Sequence, residues 1–146
     1  MNETDHGGPE GVATVCRFFD RWADEDLTGT LECFDEDCEI RPILVLIEGG
    51  VYRGHEGVRR WFNDVFSDWT EFCPELQGSH ELEDSLLATG RIRARGRTSG
   101  VELDTAMWWR YTFRDGRILR MEAFREPTDD HRAVGLANQP GLSPQA

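Results

Sequence analysis

A chain of 146 residues with 38% hydrophobic content, five Trp and eight Phe has the size and apolar mass of one folded domain, and is not a disordered polymer. Its formal net charge of −12 repels phosphate backbones and anionic bilayers, so neither nucleic acid nor a membrane surface is an expected partner. No stretch approaches the roughly 18 apolar residues that a spanning helix needs, and residues 1–11 lack the basic-then-apolar order of a secretory leader, so a cytoplasmic location is expected.

Residues 1–11 and 137–146 are rich in Gly, Pro and polar side chains and are expected as flexible tails around a domain spanning 12–136. Val12, Val15, Cys16, Phe19, Trp22 and Ala23 recur at helical spacing, with Phe18 widening the stripe, which predicts an amphipathic helix over 10–25. Asp26 is placed to cap a second, short helix carrying Leu27, Leu31 and Phe34. The run from Ile40 to Ile47, broken only by Arg41 and Pro42, predicts a strand buried on both faces, with Pro42 at its edge or start and a turn at Gly49-Gly50. Val58, Trp61, Phe62, Val65, Phe66 and Trp69 then predict a long helix with one broad apolar stripe.

From Thr70 onward the period changes to two. Between Leu86 and Thr98 the even positions are small or apolar and the odd ones include Arg91, Arg93, Arg95 and Arg97. A two-residue turn at Ser99-Gly100 would set Arg97 against Glu102 and Arg95 against Asp104, making the arginine row self-neutralising. Gly90, Ala94 and Gly96 either leave room under the helices or let the sheet bend. A second hairpin at Arg114-Asp115-Gly116 joins Trp108–Phe113 to Ile118–Arg125. A two-residue turn would pair Trp109 with Glu122 and send Glu122 inward; a three-residue bulged turn would pair Trp109 with Met121 and send Arg125 inward.

The cysteines Cys16, Cys33, Cys38 and Cys73 match no zinc or redox spacing and are read as reduced, small buried hydrophobes. No cofactor or metal motif is present in the sequence pattern, and no nucleophile motif either. His6 and His131, flanked by acidic residues near the ends, are expected at the surface; His55 falls in the first turn of the long helix and His80 in a loop or strand edge.

The order of these elements, with Asp26-Leu27, Phe34-Asp35-Glu36-Asp37, Tyr52-Arg53-Gly54-His55-Glu56-Gly57-Val58, Phe113-Arg114-Asp115-Gly116-Arg117-Ile118 and Ala133-Val134-Gly135-Leu136, resembles the SnoaL-like branch of the nuclear transport factor 2-like superfamily. The resemblance implies an α+β cone, a curved antiparallel sheet wrapped round three N-terminal helices, with a pocket on the concave side and often a dimer on the convex side. It also favours the bulged turn, which places Leu119, Met121, Ala123 and Arg125 on the concave side.

Set against the ketosteroid isomerases of that superfamily, Phe18 falls at the catalytic tyrosine, Phe34 and Phe62 at supporting tyrosines, Pro42 at the base and Trp109 at the oxyanion-hole aspartic acid. Phe donates no hydrogen bond, Pro accepts no proton and Trp donates only through its indole, so that chemistry is not expected. Ala123 likewise falls where epoxide hydrolases of the superfamily carry an aspartate.

The expected pocket is an aromatic, apolar wall of Phe18, Trp22, Phe62, Phe66, Ile92, Met107, Trp109 and Met121, suited to a flat hydrophobic or polycyclic molecule, with Arg125 anchoring its polar end. Arg125, Tyr111 and Glu122 are the weak catalytic candidates. Two classes of function follow: acid–base chemistry of cyclase, isomerase or dehydratase type on a hydrophobic carbonyl compound, or a non-catalytic ligand-binding or structural dimer. A homodimer is expected through the convex face, with Trp108, Ile118 and Phe124 as its apolar anchors.

Overall fold

The computed structural model describes residues 9–42 and 50–137. Its elements run α1 (Pro9–Ala23), α2 (Leu27–Glu32), β1 (Phe34–Arg41), β2 (Tyr52–Arg53), α3 (Gly54–Asp68), β3 (Trp69–Glu81), β4 (Ser85–Gly96), β5 (Glu102–Arg114), β6 (Arg117–Phe124) and α4 (Asp129–Ala133). The six strands form one sheet in the order β2-β1-β6-β5-β4-β3. Every pairing is antiparallel except β1 with β6, whose long intervening run leaves room for the crossover that a parallel pair requires.

Helical spacing puts Val15, Phe18, Phe19 and Trp22 of α1 on one buried stripe, and Val58, Trp61, Val65 and Phe66 of α3 on another. The stripes meet through Trp22 and Trp61, whose ring centroids lie 4.2 Å apart, and Phe18 sets its edge against Phe34 of β1 at 5.0 Å. Asp26 caps α2 by accepting from the Gly29 N–H at 2.9 Å, as its position predicts.

The first strand departs from expectation. It ends at Arg41 instead of starting near Pro42, which has no N–H to give to a ladder; the run 43–47 and Gly49 lie outside the described residues. Its acidic stretch is tolerated because Arg114 grips Asp35 with two bonds, 2.6 and 3.0 Å, and reaches Asp37 at 2.8 Å.

Both hairpins also differ in register. β4 and β5 pair Arg95 with Glu102, Ile92 with Thr105 and Gly90 with Met107, two residues from the expected register. The connection is a four-residue loop, 97–100, closed by Gly96 N–H to Val101 O at 2.7 Å, with Gly100 at φ 73°. A slip of two leaves every side chain on its expected face.

The β5–β6 pairing matches neither alternative, since Trp109 lies opposite Ala123 and not opposite Met121 or Glu122. Asp115 and Gly116 both have positive φ, 53° and 78°, giving a two-residue turn with Arg114 opposite Arg117. A bulge then follows, and beyond it Tyr111 faces Met121 and Trp109 faces Ala123. The extra residue in β6 leaves Ile118 buried in the core on the turn side, and Met121 buried in the core beyond. Ile118 is therefore not on the outer face where the sequence put it, and Leu119 takes up the irregularity.

On the outer side of the sheet, α4 and the segment after it cover Trp108, whose indole N–H donates to Leu136 O at 2.7 Å and whose surface is only 8% exposed. His131 lies fully buried under this cover, not at the surface as its acidic flanks suggest. Nε2 faces the Trp109 carbonyl at 2.9 Å, which can only accept, so Nε2 carries the proton and Nδ1 accepts from the Thr128 N–H at 3.3 Å.

Candidate functional site

A cavity of about 40 Å³ lies between α1, α3 and the helix-facing side of the sheet. α1 contributes Phe18, Phe19 and Trp22, and α3 contributes Trp61 and Val65, each pair or triple one helical turn or one residue apart. Phe72 and Pro74 come from β3, Ile92 from β4, Met107 and Trp109 from β5, and Met121 and Ala123 from β6; Pro42 follows the end of β1. Phe18, Pro42 and Trp109, three positions spread over much of the chain, thus meet at one cavity.

Of the pocket residues expected from sequence, Phe18, Trp22, Ile92, Met107, Trp109 and Met121 line this cavity. Phe62 and Phe66 do not; they pack on Trp22 from the side, with ring centroids at 5.5 and 5.2 Å. Phe62 is only half-buried. Arg125 is exposed and lies one residue beyond β6, outside the lining, because the strand stops at Phe124. Glu122 points to the other side, where it sits 4.0 Å from Arg110. Tyr111 is fully buried beside Phe19 and Trp109 and fills core instead of cavity.

Phe72 and Pro74 escaped sequence reading because two irregularities, between Thr70 and Cys73 and between Leu76 and Gly78, break the alternation of β3. Trp61 and Val65 carried a readable signal, since they share the apolar stripe with Val58 and Phe66.

Size limits what fits. By the measure that a water needs at least about 10–15 Å³, 40 Å³ holds at most about three or four waters, and ligand pockets usually span about 300–1,000 Å³. A polycyclic molecule does not fit this cavity as it stands. Met107 and Met121, both in its wall, are the side chains best able to yield.

The described side chains of the wall are apolar or aromatic. Trp22 is 1% exposed, and its Nε1–H has no hydrogen-bond partner; the buried Tyr111 hydroxyl has none either. Such an orphan costs about 1–3 kcal/mol of desolvation. Burial holds the Tyr111 phenol well above its ordinary pKa, so it stays protonated. Burial likewise pushes the Cys38 thiol up to about 11, and raises Cys33. Cys16 and Cys73, expected inside, are exposed.

Charge is kept outside. Arg91 binds Asp104 at 2.6 Å, Arg93 lies 3.4 Å from Glu75 and Arg95 lies 3.3 Å from Glu102, so these three are matched by acids, whereas Arg97 donates to the Phe66 and Trp69 carbonyls and not to Glu102. These half-exposed pairs stabilise by only about 0–1 kcal/mol each. His55 bonds the Phe34 carbonyl at 2.9 Å, and His80 is exposed near the end of β3. Among the described residues, no group of three or more His, Cys, Asp or Glu is arranged to hold a metal ion.

Several solved structures share this architecture. A nuclear transport factor 2-like protein of unknown function from Burkholderia pseudomallei superposes with a TM-score of 0.69 at 17% identity, over 86% of this chain and 98% of that one. A putative SnoaL-like polyketide cyclase from Jannaschia gives 0.69 at 17% identity, over 96% and 99%. TerC, co-crystallised with polyporic acid, gives 0.69 at 19% identity, over 86% and 98%. No curated protein sequence matches the chain significantly. The sequence pattern of the SnoaL-like domain matches residues 15–121, most of the fold from α1 to β6, and the chain belongs to that family.

Proposed function

We propose that this chain binds a small, mainly apolar molecule in the cavity between its helices and sheet, as a binding module instead of an acid–base catalyst. One observation carries the reading: none of the described side chains lining the cavity is titratable. Cyclase, isomerase or dehydratase chemistry on a carbonyl compound needs a group that takes or gives a proton at the reacting atom. Arg125, Glu122 and Tyr111, the candidates for that work, all lie outside the lining. A neighbour of the same fold has been crystallised with an organic ligand, polyporic acid, which supports a ligand-binding use of the architecture.

Titration with a compact hydrocarbon such as cyclopentane tests the reading, because Trp22, Trp61 and Trp109 in the wall report occupancy by fluorescence. A saturable change lost in Ala123→Phe, which fills the space, is the expected result. No saturable change with any compact apolar compound rejects it.

A homodimer through the outer sheet face belongs to the same proposal. With Trp108 covered and Ile118 inside, its contact would be made by Phe124 and the matched charges of β3, β4 and β5. Sedimentation showing monomer alone at micromolar concentration rejects it.

A further inference from the structure

The short run from α4 to Leu136, laid over the outer side of the sheet, is pegged there by one side chain. Of residues 129–137, only His131 is buried. Its Nε2 donates to the Trp109 carbonyl of β5 at 2.9 Å, the Ala88 backbone of β4 lies beside it, and the Phe124 ring stands 6.2 Å away. Beyond this peg, the run is held by the Trp108 indole N–H on the Leu136 carbonyl and by the partly exposed ion pair of Arg110 with Asp130. Trp108 and Leu87 are buried yet stand outside the main apolar core, and no residue from 129 to 136 belongs to that core either. We propose that α4 and the segment to Leu136 form an acid-sensitive clasp: protonation of His131 unfastens it and uncovers Trp108, while α1, α3 and the sheet stay folded. The inference does not depend on what the cavity holds.

An apolar peg would hold at every pH; an imidazole does not. Protonation puts a charge into a fully buried place and turns Nδ1 from acceptor to donor, against the Thr128 N–H at 3.3 Å. The Thr128 hydroxyl, 2.8 Å away, would have to turn to accept it. Arg110 of β5 adds like charge, partly offset by Glu122 of β6 at 4.0 Å from it. Asp130 favours the charged ring, and Asp129 and Arg132 pair with each other at 3.2 Å. His80 of β3, exposed and in register with Leu87, is the other imidazole on this side. Burial is the largest of these influences and keeps the ring neutral while the clasp is closed. Once it opens, water returns the ring to its ordinary 6.5, so opening takes up one proton and grows as the pH falls from there through the closed-state value.

Hydrogen exchange of the Trp108 indole N–H, followed by NMR on the full chain and corrected for the intrinsic pH dependence of exchange, tests the clasp; Trp108→Phe assigns the resonance. The expected result is protection that falls by up to about tenfold per pH unit between about 6.5 and about 5.5, the limit for uptake of one proton. The backbone amides of Val15 in α1 and Val65 in α3 should keep their protection, and the His131 ring should titrate over the same range as the indole responds. His131→Gln, whose amide keeps a donor for the Trp109 carbonyl, should hold the Trp108 protection flat, and His80→Gln should keep the wild-type fall. Equal loss of protection at Trp108 and in the two helices means global unfolding and overturns the clasp. A flat wild-type profile, an undiminished fall in His131→Gln, or a fall abolished by His80→Gln overturns it too. Where His131→Gln fails to fold, the wild-type comparison decides: separate midpoints for the His131 ring and the Trp108 indole overturn the proposal, and one shared midpoint with protected helices supports it.

Discussion

The imidazole of His131 sets Nε2 against the Trp109 carbonyl, which only accepts, and Nδ1 against the Thr128 N–H, which only donates, and the Thr128 hydroxyl at 2.8 Å, which can do either. The neutral ring protonated on Nε2 suits the carbonyl and the N–H together. Burial, reinforced by Arg110, lowers its folded-state pKa below the ordinary 6.5, although the Trp109 carbonyl and Asp130 oppose the shift. The unfolded chain therefore takes up this proton first as the pH falls. The stabilising contribution is complete above 6.5 and is lost as the pH drops from there through the folded value. His131→Gln should thus show a smaller loss of urea midpoint than wild type when the pH is lowered from about 7.5 to about 5.5. Equal losses would place the pH sensitivity elsewhere. Asp35 acts in a lower window: its bonds to Arg114 depress its pKa below 3.8, so its contribution persists above that value and disappears as the pH falls through the folded one. The cysteines divide by the same burial physics. A thiol-reactive dye should label Cys16 and Cys73 in the native chain, and Cys33 and Cys38 only on unfolding, because buried neutral thiols are neither accessible nor nucleophilic. Four fast-labelling thiols would contradict the fold around α2 and β1.

At the level of elements, the two long helices were legible because four or more large apolar residues repeat at helical spacing in each, a signal that no short-range feature can mimic. Strand β1 was hidden because Asp35, Glu36 and Asp37 make it look wet, and the partner that permits this, Arg114, is distant in the chain. Helix α4 was hidden because it is short and built of Asp129, Asp130, His131, Arg132 and Ala133, which carry almost no apolar period. The bulges of β3 and β6 insert single residues that hydropathy cannot register. Gly90 shows what such irregularity demands. A Cβ there would run into the carbonyl oxygen of Glu75, on the backbone of β3 beside its second irregularity. The glycine therefore serves close strand approach more than room for a ligand. Gly90→Ala should destabilise by about 1–3 kcal/mol or more, since backbone cannot rotate aside. Gly78→Ala, across the same strand pair, would meet only the methyl ends of Thr89 and Leu136 at 3.3 and 3.5 Å and should lose less than about 1 kcal/mol. Denaturant unfolding of the two variants measures the difference, and similar losses would argue against the close approach.

For the whole molecule, the decisive feature is the separation of charge from cavity. The matched arginines lie outside, and the described side chains of the lining carry no titratable group. Sequence reading found Phe18 and Trp22 from helical spacing, and Ile92, Met107 and Trp109 because inward parity survives a two-residue slip; it misjudged Arg125 because parity says nothing about where a strand stops. The same reading placed Phe18, Pro42 and Trp109 at the positions of donor, base and acid in ketosteroid isomerases, and these three residues do line one cavity. That convergence gives the last prediction its force. Isomerisation of a 5-ene-3-ketosteroid needs a carboxylate to move the proton and donors to hold the oxyanion, each donor worth about 10²–10³-fold in rate. Phe18 and Pro42 supply neither, and Trp109 supplies at most one neutral donor. A steroid also exceeds a 40 Å³ space many times over, so even binding would require Met107 and Met121 to give way. Incubation with the ketosteroid, followed by growth of the conjugated enone absorbance, should therefore show no more than the buffer rate. Turnover well above buffer that persists in Trp109→Phe would mean that a proton-transferring group acts from outside the described wall, and the cavity would then have to be read as the apolar half of an active site.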